Sequence, residues 1–185
     1  VTFALAKIGS ILYPGAENCG RLTVAGISIP KQVMEAAEIK IKALDFEEAR
    51  ALLPERKKRS NKGSYGRLFA FCGSKAMCGA AVLSIKSAYR AGCGLVYGCV
   101  PNECVDIIQI LVPGAVVKPM PSINGRFSPE GADAIAEDLK QAKAVVIGPG
   151  IGNGDEVKKF VIDILKKVQC YAVIDADGLN ALAGN

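Results

Sequence analysis

The 185-residue chain contains no histidine. That removes the commonest general base and the usual nitrogen ligand of zinc. Seven cysteines are present, at positions 19, 72, 78, 93, 99, 104 and 170. Their number is odd and no Cys-x-x-Cys pair occurs, so neither a disulfide framework nor a thiolate metal site is indicated. Several lie in apolar runs, as in "LFAFC" and "LVYGCV", and read as buried, reduced thiols. No apolar stretch is long enough to cross a bilayer. The opening "VTFALAKIGSILYPG" carries neither a basic leader nor a small-residue cleavage signal. A cytoplasmic protein without a membrane partner is the expectation. Aromatic residues are scarce, and the formal net charge is only +5. Much of the basic excess sits in one run, "RKKRSNK", residues 56–62. A nucleic-acid groove carries more Lys and Arg with aromatics between them, so nucleic acid is not an expected partner.

Half of the residues are hydrophobic, which argues against a disordered chain and supplies a core for one medium domain. The chain begins with Val and stops at "NALAGN", which reads as the first turns of a helix. The expectation is a truncated piece of a longer protein.

Along the chain, "GRLTVAGISIP" (20–30) alternates apolar with small or polar residues and reads as a strand. "KQVMEAAEIKIKALD" has no strong period and reads as a linker. Asp45 and Glu48 have capping-box spacing ahead of a short helix, "FEEARALL", which Pro54 should end. From residue 67 the alternation is regular. Strands are expected at "RLFAFC", "GLVYGCV", "AVVKPMP", "KAVVIG" and "YAVID". Helices are expected at "AAVLSIKSAYRAG", at "NECVDIIQIL" capped by Asn102, and at "SPEGADAIAEDLKQA" with Ser128 at the cap and Pro129 at the first position. Two more follow, at "DEVKKFVIDILKKV" and "GLNAL". In the first of these Val157, Phe160, Val161, Ile164, Leu165 and Val168 fall on one face. Strand and helix in alternation predict an α/β three-layer sandwich around a mainly parallel sheet.

In such a sheet, the loops leaving the carboxyl ends of the strands gather along one rim, where ligands bind. Three loops qualify: "CGSKAMCGAA", "IGPGIGNGDE" and "IDADGLN". Their glycines and following helix starts suit a phosphate, though short strand-to-helix turns are Gly-rich in any case. The group thus marks Ser74, Gly79, Ala80, Gly148, Gly150, Gly152, Asp175, Asp177 and Asn180 as rim candidates. "GNGD", ending at Asp155, has the form of a kinase Gly-x-Gly-Asp, whose Asp deprotonates the attacked hydroxyl. Asp155 is read instead as a charge that stabilises the first turn of its helix. Asp175 and Asp177 could hold Mg²⁺ through water, or Asp177 could cap the last helix. Lys62 in "NKGSYG" could meet a phosphate or remain a solvated loop lysine. The spacing of Gly148, Gly150 and Gly152 fails the dinucleotide fingerprint.

Taken in order, "NKGSYG", "GSKAMCGAAVLSIKSAYRAGCGLV", "VVIGPGIGNG" and "VIDADGLNAL" resemble the ADP- or ATP-dependent NAD(P)H-hydrate dehydratases, which have a ribokinase-like fold. The resemblance covers residues 50–185. Residues 1–36 resemble the tail of the NAD(P)H-hydrate epimerase domain that precedes the dehydratase in many bifunctional proteins, with 37–49 as linker and start of the next domain. The resemblance implies repair of hydrated NADH or NADPH. A nucleoside polyphosphate, ADP or ATP with Mg²⁺, phosphorylates the ring hydroxyl, and the ring nitrogen's electrons then expel phosphate. It implies that Gly79, Ala80, Gly148, Gly150 and Gly152 face the dinucleotide substrate. Asp175, Asp177 and Asn180, read from the rim pattern, are expected near phosphate or metal, and the resemblance places the catalytic base beyond residue 185. A homo-oligomer is also implied. One departure is Gly114 after Pro113, where the family usually has an acid. A sugar or vitamin kinase of the same fold and a non-catalytic nucleotide-sensing module are the alternative readings.

Overall fold

In the computed structural model, which describes residues 1–53 and 55–184, the alternation read from the sequence becomes a parallel sheet. Pro54, the expected helix stop, lies outside the described residues. The chain divides into two units, Val1–Ala49 and Arg50–Asn185.

The first unit has no buried residue. Its regular elements are β1 (Thr2–Phe3), α1 (Ile8–Ile11), β2 (Val24–Ala25) and α2 (Lys31–Ala36), with β1 and β2 parallel. The strand expected over 20–30 shrinks to β2. The expected linker instead begins as helix α2, where Lys31 and Glu35 form an i,i+4 pair at 3.4 Å. Helix α3 (Phe46–Ala51) starts from the predicted capping box. Glu48 N donates to Asp45 Oδ1 at 2.8 Å, and Asp45 N to Glu48 Oε2 at 3.4 Å.

In the second unit the elements run β3 (Arg67–Phe71), α4 (Cys78–Arg90), β4 (Leu95–Pro101), α5 (Val105–Leu111), β5 (Val116–Met120), β6 (Ser122–Ile123) and β7 (Arg126–Phe127). Then come α6 (Gly131–Ala134), α7 (Ala136–Leu139), β8 (Ala144–Ile147), α8 (Asp155–Lys167), β9 (Tyr171–Ile174) and α9 (Asp177–Leu182). Within the described residues the main sheet has the order β5-β4-β3-β8-β9, every pair parallel. Side chains alternate across it with period two. Phe69 and Phe71 on β3, with Val145 and Ile147 on β8, join α6, α7 and α8 in one core. Ala70 on β3 and Val96 and Val100 on β4 join α4 and α5 in the other. The result is the three-layer sandwich expected from the pattern.

The predicted apolar face of α8 is the buried one. Val157, Phe160, Val161 and Ile164 are buried, and Leu165 and Val168 pack against the same core. Two helix starts differ from expectation. Asn102 sits inside a 3-10 turn (Asn102–Cys104) and makes no capping bond; α5 begins after it. The helix expected from Ser128 begins at Gly131 and is broken at Ile135 into α6 and α7. Ser128 opens the turn only through its carbonyl, which accepts from Gly131 N at 3.1 Å, while its hydroxyl donates to Glu130.

Burial of the thiols has a consequence for alkaline stability. Burial pushes the Cys72 thiol from 9.0 up to about 12, the Cys104 thiol up to about 12, and the Cys99 thiol well above its ordinary value. Above pH 9 the unfolded chain has lost these protons and the folded chain has kept them. Stability therefore falls as pH rises, by about 1.4 kcal/mol per pH unit for each such thiol. Urea unfolding under reducing conditions should show a lower midpoint at pH 10 than at pH 8. A Cys72→Ala variant should flatten that slope.

Candidate functional site

The strand ladder continues into the loops and ties them together. Phe71 and Ile147 are register partners at the ends of β3 and β8. Just beyond them Gly148 N donates to Phe71 O at 3.1 Å, and Gly73 N donates to Pro149 O at 2.8 Å. On the other side Asp175 N donates to Ile147 O at 3.1 Å. The loops after β3, β8 and β9 are thus adjacent on the carboxyl edge. β3 leads through α4 to β4 on one side, and β8 leads through α8 to β9 on the other. The two chains diverge to opposite faces, and that divergence opens a crevice at a topological switch point.

The loops after β3 and β8 are in contact there. Gly150 has φ +69°, and a β-carbon there would stand 2.6 Å from the methyl of Ala80. Ala80 is half-buried in the first turn of α4, and Gly79 beside it is exposed with open space where a side chain would project. Ser74 is buried in the same loop. The Gly152 amide donates to Asp177 Oδ2 at 2.9 Å, which fixes the end of the glycine loop to α9. Asn180 Nδ2 approaches Asp177 Oδ1 at 3.4 Å. Asp177 is therefore not the helix cap. The cap position is Ala176, at φ +48°, and the Asp177 carboxylate serves the neighbouring loop. A recess of about 170 Å³ lies between this loop and α9, lined by Gly152, Asn153, Gly154, Asp155, Lys158 and Asn180 among others. A larger cleft of about 420 Å³ lies between the C-terminal ends of α4 and α5, lined by Lys86, Tyr89, Arg90 and Pro113 among others, away from the rim.

Asp155 is the first residue of α8, exposed, with Glu156 beside it. Two acids there complement the helix N-terminus. Lys62 is not brought to the rim. It stands in a 3-10 turn (Lys62–Tyr65) that precedes β3, at the amino edge of the sheet. A five-residue strand separates the two edges by about 16 Å.

Magnesium keeps several waters and takes one or two carboxylates together with substrate phosphates. Asp175 fits that role. It is exposed at the rim, and its Oδ1 accepts from the adjacent Ala176 N, at 2.8 Å. Among the described residues no group of three or more acidic or thiol side chains is clustered for a metal, so a metal here would rely on phosphate oxygens.

A further rim element was not foreseen. The hairpin β6–β7 lays Gly125 O against Lys75 N at 2.8 Å and extends Arg126 over the glycine loop. Arg126 Nη1 donates to Asn153 O at 2.9 Å. The hairpin is anchored by Phe127, which stacks on Phe160 of α8 with ring centroids 4.6 Å apart. Its signal was the dipeptide Asn124-Gly125, whose φ values of +52° and +74° are those of a type I′ turn.

A sheet of this order with its crevice at the switch point is the ribokinase-like architecture. A ribokinase-like superfamily protein from Enterococcus faecalis superposes with TM-score 0.61 over 70% of this chain and 43% of its own, at 20% identity. Residues 68–185 match the family model described as NAD(P)H-hydrate dehydratase, and the chain belongs to that family. The Moorella thermoacetica bifunctional NAD(P)H-hydrate repair enzyme Nnr is 36% identical over 99% of this chain and 35% of its own length. The Thermofilum pendens enzyme of the same name is 32% identical over 99% of this chain and 34% of its own. An ADP/ATP-dependent NAD(P)H-hydrate dehydratase from Bacillus subtilis, co-crystallised with ATP/Mg²⁺, is 28% identical with TM-score 0.56, covering 72% of this chain and 45% of that one. The chain spans about a third of the length of the curated relatives it matches. No helix among the described residues is long and apolar enough to cross a membrane.

Proposed function

We propose that this chain is part of a cytoplasmic metabolite-repair enzyme that uses ADP or ATP to dehydrate hydrated NADH or NADPH. The observation that carries the reading is the meeting of the Ala80 and Gly150 loops, two tied strand-end loops at the switch point, in a chain of the hydrate-dehydratase family. Gly79, Ala80, Gly148, Gly150 and Gly152 receive the hydrated dinucleotide, because backbone free of side chains permits close approach. Arg126 supplies a cation beside the glycine loop. Asp175 stands where a phosphate-bound Mg²⁺ would sit. When bound, that ion would neutralise charge on the transferring phosphoryl group. The chain's own contribution is positioning: the ring hydroxyl is held in line with the phosphoryl donor inside a crevice that limits water. Once phosphorylated, the hydroxyl leaves as phosphate, driven by the ring nitrogen's electron pair. Residues 1–36 are assigned to the end of an epimerase-like domain and 37–49 to the linker. The whole-chain similarity to bifunctional repair enzymes supports that assignment.

The test uses the full-length protein with hydrated NADH and ATP or ADP. The expected result is stoichiometric release of inorganic phosphate with recovery of NADH. A stable phosphorylated product from a sugar or vitamin alcohol, without phosphate release, would identify a kinase instead. Nucleotide binding with no turnover of either substrate would identify a sensing module.

A further inference from the structure

The thiols of Cys78 and Cys104 face each other at 2.8 Å, although the two residues are 26 positions apart. Cys78 opens α4, immediately before Gly79 and Ala80, and Cys104 ends the turn that follows β4. A sulfur–sulfur approach this short is within about 1 Å of disulfide bonding distance. Cys78 Sγ is also held from behind, donating to Ser74 O at 3.3 Å. Both sulfurs lie in the α4–α5 core. Cys78 is 7% exposed and Cys104 is 0% exposed, so Cys78 is the sulfur a small oxidant reaches first.

We propose that Cys78 and Cys104 are a redox modification site, closing to a reversible disulfide when hydrogen peroxide is present. In the first step the Cys78 sulfur attacks one peroxide oxygen. The O–O bond breaks, one water leaves, and Cys78 becomes a sulfenic acid. In the second, the Cys104 thiol attacks the Cys78 sulfur and passes its proton to the hydroxyl there, which leaves as a second water. The two thiols lose two electrons and two protons, and the peroxide is reduced to two waters. Thiol reductants reverse the bond by exchange. The bond ties the first turn of α4, which carries one wall of the crevice, to the end of β4. It differs from the chain's exposed Cys19, which has no facing thiol among the described residues.

The test is peptide mapping of the purified protein after brief hydrogen peroxide treatment, with remaining thiols blocked before digestion. The reduced tryptic peptide 76–86, which carries Cys78, should disappear. In its place a linked species should form with the peptide carrying Cys104, lighter by two hydrogens and released by dithiothreitol. In Cys104→Ala the linked species should be absent and Cys78 should be recovered as a sulfenic acid trapped by dimedone. Amide exchange of the wild-type protein over residues 77–82 should slow on oxidation and recover on reduction. A Cys78–Cys72 link, or unreacted Cys78 while Cys19 is oxidised, would overturn the proposal.

Discussion

Replacing Gly148 by alanine is expected to cost more than about 4 kcal/mol of stability and to lower Tm by about 10 °C or more. The residue has φ +126°, a conformation that L side chains rarely adopt, and a β-carbon there would lie 2.6 Å from Gly178 N and closer still to the carbonyl oxygen of Asp175. Both obstacles are backbone, so no rotamer change relieves them. Moving them would break the Asp175 N to Ile147 O bond that carries the β8–β9 ladder into the rim. The control is Gly92→Ala. Gly92 also has a positive φ, +102°, but the nearest atom to a β-carbon there is the Arg56 guanidinium, at 3.9 Å. It should cost only the backbone strain of about 1–3 kcal/mol. Thermal unfolding of the two variants separates strain from collision. If Gly148→Ala unfolds no earlier than Gly92→Ala, the loops after β8 and β9 are not packed as described.

How much of this was legible beforehand depends on what each signal encodes. The β3, β4 and β8 runs and the stripe on α8 were readable because burial on both faces of a parallel sheet, or on one face of a helix, writes itself into local periodicity. The three rim loops were readable because glycine and acid cluster where strands meet helices. Caps were less secure. Asp45 with Glu48 formed its box because both partners are local. Asn102 and Asp177 looked like caps equally well, yet a neighbouring element decided the outcome: the Gly152 amide claimed the Asp177 carboxylate, a contact across 25 positions with no local trace. The β6–β7 hairpin was visible in Asn124-Gly125 but is only two residues per strand, too short for alternation to register. The break at Ile135 followed no breaker residue. The chain there bends so that Ala132, Ile135 and Leu139 all reach the core beside α8. Lys62 shows the limit of motif order: it precedes β3 in sequence, and that alone puts it at the edge opposite the loops that follow the strands.

The functional counterpart to the loss at Gly148 is a change that leaves the fold intact and fills the crevice. Ala80→Leu is that change. Ala80 is only half-buried, so its replacement leaves no cavity and strands no polar group. Gly150 already packs against the Ala80 methyl, so the added carbons must go outward, into the space a ligand would use. The surface there advances by more than 1 Å, a displacement that costs about 10²-fold in rate when it shifts a reacting group. In the full-length enzyme, kcat/KM for hydrated NADH should fall by about that factor while Tm stays within a few degrees. Ala80→Gly should keep most of the activity, since it removes bulk and not a contact that bonds the ligand. Nucleotide affinity supplies the second readout. Asp175, assigned to the phosphate-bound ion, bonds its own neighbour Ala176 and not the Ala80 turn, so ATP should bind Ala80→Leu as it binds the parent. Equal kcat/KM in the leucine variant and the parent would mean that the hydrate does not enter between α4 and the β8 loop, and the assignment of Ala80 and Gly150 to the substrate would fall with it.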